Sequence, residues 1–167
     1  MPGRAFVFGD EINTDVITPN EYVFDPLEEQ AKYLMEPIRP NFADEFEAGD
    51  FIVAGEHFGS GSSRERAPGA IKAAGIRAVV AESFARIFYR NSVALGLPAV
   101  VCPDVTAHVE EGDELSIDLT DGIVTNRTTG EDLRAEPLPE AVQGIFDAGG
   151  LIQHFNQHPG GLKEEIE

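Results

Sequence analysis

Between residues 51 and 102 the chain alternates between two periodicities, and few folds accommodate that order. "FIVAGE" (51–56), "IRAVVAES" (76–83) and "LPAVVC" (97–102) are short apolar runs bounded by turn formers. Such runs read as strands covered on both faces. Residues 64–74, closed by Gly75, and residues 83–96, capped by Ser83 and stopped by Gly96, read as helices. A strand–helix–strand–helix–strand order predicts a parallel sheet with helices packed against it, an α/β core.

The flanks add to that core. "RAFVFG" (4–9) is a short β-rich run, and "DEINTDVITP" (10–19) reads as a loop ending at Pro19. "DPLEEQAKYLMEP" (25–37) has apolar residues at 27, 31, 34 and 35, the pattern of one helix stopped by Pro37. "DELSIDLTDGIVTNR" places two alternating runs around Asp121–Gly122, a hairpin signal. The tail, "PEAVQGIFDAGGLIQHFNQH", is helical with a break at Gly149–Gly150. No internal repeat and no linker divides residues 1–167, so one domain is expected.

Composition narrows the function classes. With 42% hydrophobic residues and 11 Phe the chain is a globular one. Its net charge of −18 argues against nucleic acid and anionic membranes as partners. No apolar run is long enough to span a membrane, no secretory leader pattern opens the chain, and a cytoplasmic setting is expected. Nine of the 12 cations are arginine; a salt-rich habitat or a merely acidic surface would both account for that balance. The one cysteine, Cys102, ends a buried strand and reads as a small core residue. It permits no internal disulfide and no cysteine-based metal or cluster site. The four histidines show no metal-ligand spacing, and His57, close to the glycine-rich loop, reads as structural.

"GEHFGSGSSRERAP" (55–68) is where the chemistry concentrates. A glycine-rich loop between a strand and a helix leaves free N–H groups at the positive end of the helix dipole, a natural anion site. Nucleotide motifs fail here. There is no Gly-Lys pair for a Walker loop, and Gly59 and Gly61 begin a GxGxxG pattern whose third glycine is replaced by Arg64. A GxSxG nucleophile elbow is also absent. What remains is Ser62, Ser63 and Arg64 in a row at a helix start. The guanidinium fork of Arg64 suits a carboxylate, and the serines offer hydroxyls beside unpaired amides. A plain helix cap with a surface arginine is the alternative reading.

Four stretches together resemble one family. "GSGSSRERAP" followed by "SFARIFYRNSVALGLP", the N-terminal "FGDEINTDVITP" and the C-terminal "DAGGLIQHF" are similar, in order and spacing, to small subunits of aconitase-type hydro-lyases, the isopropylmalate isomerases and homoaconitases. The resemblance implies a swivelling β/β/α domain. It also implies a two-subunit enzyme that moves a hydroxyl between adjacent carbons of a small hydroxy diacid by dehydration and rehydration. In that family a [4Fe–4S] cluster acts as a Lewis acid, and here it would belong to a cysteine-bearing large subunit. By the same resemblance Ser62 is the catalytic base, Ser63 bonds substrate, and Arg64 pairs with a substrate carboxylate. Gly59 and Gly61 support the loop. Asp15 corresponds to an aspartate that pairs with a partner-subunit group; an ordinary turn residue is the other reading. Relatives commonly carry His or Gln where this chain has Arg66, which either tunes the site or faces solvent.

Substrate choice in such subunits falls in the segment after Pro19. Homoaconitases place an arginine there for an extra carboxylate, whereas "NEYVFDP" offers Val23 and Phe24. An apolar lining suits a branched alkyl arm, because an unpaired carboxylate is costly to desolvate. The expected reaction is therefore the interconversion of 2- and 3-isopropylmalate, a leucine-pathway step. Homoaconitate or dimethylmalate- and methylmalate-type substrates are alternatives, as is a non-catalytic anion-binding or regulatory subunit. With one cysteine in the sequence, the chain purified alone is expected to be colourless and inactive; an iron–sulfur absorption band would contradict this.

Overall fold

The structure, a computed structural model, describes residues 1–61 and 65–159. In chain order it comprises β1 (Gly3–Val7), α1 (Thr14–Ile17), α2 (Leu27–Gln30), β2 (Phe51–Ala54), α3 (Arg66–Ala73), β3 (Ala78–Ala81), α4 (Arg86–Leu95), β4 (Ala99–Val101), α5 (Val105–His108), β5 (Glu114–Asp118), β6 (Ile123–Asn126), β7 (Glu131–Arg134), α6 (Glu140–Ala148) and α7 (Leu151–Gln157). Single 3₁₀ turns lie at Asn20–Tyr22, Ala31–Tyr33 and Phe42–Asp44.

All seven strands form one sheet in the order β4-β3-β2-β1-β5-β6-β7. The β4–β1 half is parallel, and β5, β6 and β7 continue antiparallel from β1. β1 joins the halves by dividing its length. Ala5, Phe6 and Val7 pair with β2, while Gly3 and Arg4 pair with β5.

The apolar strands sort their side chains by the two-residue period of a strand. Ile52, Ala54, Val79 and Ala81 join Phe88 of α4, Ala70 and Ile71 of α3, and Phe42 and Met35 of the N-terminal third in one core. Their neighbours Phe51, Val53, Ala78 and Val80 face the other way, against Leu115, Val124 and Leu133 of the antiparallel strands and Val105 of α5. The antiparallel half thus covers one face of the parallel half and the helices cover the other. This is the expected β/β/α layering, and it explains why β2 and β3 are buried at every position.

Several expectations shift at the element ends. The helix expected over 25–37 stops at Gln30 and gives way to the 3₁₀ turn, because Leu34 and Met35 turn inward as core residues instead of prolonging a surface stripe. The loop over 10–19 contains α1, whose cap is Asn13: its side chain accepts the Val16 N–H at 3.0 Å. Ser83 does not cap α4. Its Oγ accepts the His57 N–H at 2.8 Å, and the helix begins at Arg86 behind an extended Ala85. β7 follows the predicted hairpin as a third antiparallel strand, unforeseen because "EDLR" carries a single apolar residue. The tail breaks as expected, with Gly149 in the left-handed conformation at the end of α6.

Lys72 ties the helix layer together. From α3 its ammonium donates to Leu95 O (2.6 Å) and Gly149 O (2.7 Å), carbonyls at the C-terminal ends of α4 and α6. A cation there satisfies orphan carbonyls and complements both helix dipoles. Lys72→Met is expected to lower stability by about 1–2 kcal/mol, at or below the low end for hydrogen bonds to charged groups because the ammonium is exposed to solvent. Urea denaturation of the isolated chain measures it.

Candidate functional site

The loop after β2 is built by extending the sheet's hydrogen bonding beyond its strands. Gly55 N–H donates to Gly9 O (3.2 Å), Glu11 N–H to Glu56 O (2.7 Å), Gly59 N–H to Ile12 O (2.7 Å) and Thr14 N–H to Ser60 O (2.9 Å). On its other side Phe58 N–H donates to Ser83 O (3.1 Å) and Ala85 N–H to Phe58 O (2.9 Å). The chain segments that leave β1, β2 and β3 are therefore locked in parallel at the carboxyl edge of the sheet, where open α/β sheets carry their sites.

Two glycines permit this course. Gly59 has φ +84°, and a Cβ there would lie 2.2 Å from Cγ of the buried Phe88. Gly61 has φ +109°, and a Cβ there would meet Thr14 Oγ1 at 3.3 Å. His57 also adopts a left-handed conformation, φ 57°, and turns the chain while its N–H bonds Ser83. A structural role for His57 fits that placement. Ser62, Ser63 and Arg64 lie outside the described residues; the segments on either side of them lead from Gly61 into α3.

The remaining predicted residues gather around the start of α3. Asp15, exposed in the first turn of α1, lines a narrow crevice together with Val23, Thr14, Thr18, Asn20 and Arg66. Arg66 also lines a wide groove of about 670 Å³ with Phe24, Leu27, Glu65 and Leu95. Arg66 thus stands between the two spaces, half-buried, and makes no ion pair within the described residues. The crevice is nearly closed, with room for about 10 Å³, whereas the groove can admit a small molecule. Val23 and Phe24 are divided accordingly: Val23 lines the crevice, and Phe24 stands 92% exposed beside the groove. The segment carrying them is anchored by Tyr22 stacked on Tyr33 at 3.7 Å and by Gln30 Nε2 donating to Asp25 O at 2.7 Å.

Thr14, Thr18 and Asn20 were not singled out by sequence reasoning. Asn13 followed by Thr-Asp was the available signal, since an Asx cap there starts α1 and puts Thr14 and Thr18 one turn apart.

Among the described residues no cluster of three histidine, cysteine or acidic side chains is arranged to hold a metal. Cys102 is buried, and that burial pushes its thiol up to about 11, so it stays protonated and a poor ligand at neutral pH. These residues do not fit an iron–sulfur cluster bound by this chain.

A family model, the aconitase C-terminal domain, matches residues 29–104. The chain is 54% identical to 3-isopropylmalate dehydratase small subunit 1 of Methanopyrus kandleri over 153 residues, covering 90% of this chain and 89% of that one. It is 49% identical to small subunit 2 of Archaeoglobus fulgidus, covering 95% and 96%. The crystal structure of a 3-isopropylmalate dehydratase from Methanocaldococcus jannaschii superposes with a TM-score of 0.89 at 38% identity over 98% of both chains. With this identity over nearly its whole length, and with the swivel-domain layering of β, β and α, the chain belongs to the 3-isopropylmalate dehydratase small-subunit family.

Proposed function

We propose that the chain is the small subunit of a two-subunit, cytoplasmic hydro-lyase that interconverts 2- and 3-isopropylmalate in leucine biosynthesis, its residues 1–167 acting as one swivel domain. The observation that carries this reading is the locked loop after β2, presented at the sheet's carboxyl edge in a chain whose relatives are 3-isopropylmalate dehydratase small subunits. The family's [4Fe–4S] cluster supplies Lewis-acid chemistry from a cysteine-bearing large subunit.

This chain contributes the proton transfer and the carboxylate grip. Ser62 Oγ takes the proton from the carbon beside a substrate carboxylate and returns one in rehydration. A serine is too weak a base in water. Free amides at the start of α3 and the neighbouring guanidinium of Arg64 stabilise its oxyanion. Arg64 also pairs with a substrate carboxylate, Ser63 donates to substrate, and Gly59 and Gly61 set the loop's course. Asp15, exposed at the crevice, is free to meet a group of the partner subunit. Phe24, at the wide groove, offers an alkyl arm an apolar lining, and Val23 closes the neighbouring crevice; with no cation at either position, a third carboxylate is disfavoured.

In reconstituted enzyme, Ser62→Ala is expected to lower kcat by about 10²–10⁴-fold, the range for loss of a general base, with subunit assembly intact. Arg64→Lys is expected to raise KM about tenfold or more despite the retained charge, because an ammonium lacks the bidentate fork. Unchanged turnover in Ser62→Ala would instead indicate a binding or scaffold subunit.

Specificity is read by Phe24→Arg. The change removes apolar lining, worth about 1–3 kcal/mol in such pockets, and supplies a carboxylate partner. The kcat/KM ratio of isopropylmalate to homoaconitate is expected to fall. A constant ratio would place selection elsewhere.

A further inference from the structure

The chain disposes of its few cations unevenly. Arg4, Lys32, Arg39 and Arg127 are neutralised by carboxylates of the chain itself. Lys72 and Arg77 donate to backbone carbonyls. Arg86 and Arg90 are exposed, lie one turn apart on α4, and make no ion pair within the described residues. Both line a cleft of about 560 Å³ with Tyr89, Ser83 and Phe84. Glu82 and Glu136 border the same cleft but form no ion pair with either arginine; the Glu82 carboxylate is engaged by the Thr106 hydroxyl. In a chain of net charge −18, two guanidinium groups without a carboxylate partner among the described residues leave this helix face locally neutral and able to accept an outside carboxylate.

The cleft does not end at Arg90. Tyr89 and Arg90 also line an adjoining groove of about 590 Å³, whose floor is Val93, Val142, Ile145 and Leu151. Ile87, 47% exposed, stands at its edge. An apolar strip bordered by tyrosine and arginine has the composition of a protein interface core, and such residues are common binding hot spots. Its position is also informative. Ser83 and Phe84, at the root of the cleft, are the residues stitched to His57 and Phe58 in the loop described above. A partner seated on this face would lie beside the half-site that it completes.

We propose that the outward face of α4, with the adjoining edge of α6 and α7, is the docking surface for the large subunit, through a segment that brings carboxylates to Arg86 and Arg90 and an apolar side chain to the groove beside Ile87. The proposal rests on the reading of this chain as a small subunit. The arginine fork fits paired carboxylates, and opposite charge speeds encounter and fixes register.

The test is capture of the cognate large subunit by tagged small subunit, for the natural chain and for Arg86→Glu/Arg90→Glu, Ile87→Asp and the remote control Arg127→Glu. Thermal melts of each isolated variant check folding. The expected result is affinity weakened about tenfold or more, the scale for reversed interface charges, in both face variants and not in the control. Turnover of the charge-reversal variant should recover as the large subunit is raised to saturation, since the site itself is untouched. Unchanged capture by both face variants overturns the proposal. So does a loss of small-subunit self-association, by gel filtration, with capture unaffected, which would make the face a contact between copies of this chain. Intact capture by the natural chain without turnover of isopropylmalate would count against the functional reading alone.

Discussion

The site depends on backbone hydrogen bonds that continue past the ends of the strands. β1, β2 and β3 finish at Val7, Ala54 and Ala81, but the segments that follow remain bonded to one another from Gly9 to Thr14, from Gly55 to Ser60 and from Glu82 to Ala85. Buried amides need partners, and here they find them in neighbouring loops. The result is a rigid platform from three loops that would otherwise be independent. Gly59 is the tightest point, since the chain passes against Phe88 with no space for a side chain. Phe88 in turn packs edge-on against Phe58 at 5.2 Å. The glycine-rich loop is therefore held at a fixed point in the core as far as Gly61, the last residue described before Glu65.

Charge is partitioned with similar economy. Arg39 lies within 5.3 Å of the Phe6 and Phe42 ring centres, and 5.8 Å from that of Phe8, while donating to Glu45 and Glu111. The hydrogen bonds it donates to these carboxylates raise its proton affinity above the ordinary guanidinium value, and the same interaction holds Glu45 below the usual carboxylate range. Glu111 also accepts the Val7 N–H at 2.7 Å, an amide of β1 beyond the stretch paired with β5. These cations are structural. Arg66, Arg86 and Arg90 are not consumed in this way, and they stand near the site's end of the sheet, around the starts of α3 and α4. In a chain of net charge −18 such unpaired cations are where an anionic group, whether on a small molecule or on a partner chain, is most readily received.

Local patterning determined the parallel core. β2, β3 and β4, the helix between each pair, the hairpin at Asp121–Gly122 and the break at Gly149–Gly150 follow from residue periodicity and turn chemistry. The same patterning marked the glycine-rich loop, because glycine at 59 and 61 and polar residues at a helix start are local necessities. What only the tertiary structure decided is where distant segments meet. Ser83 reads as a helix cap in sequence, yet it serves the backbone of His57, 26 residues away. Val23 and Phe24 read as a pair, yet one lines a closed crevice and the other stands in solvent, since the turn at Asn20–Tyr22 and the Tyr22–Tyr33 stack set their directions. Arg66, a departure without evident purpose in the sequence, separates two spaces that depend on α1, α2 and α4. The physical reason is the range of the interactions: periodicity and capping act within a turn or two of chain, whereas cavities, charge neutralisation and loop-to-loop hydrogen bonds depend on neighbours that only the folded sheet brings together.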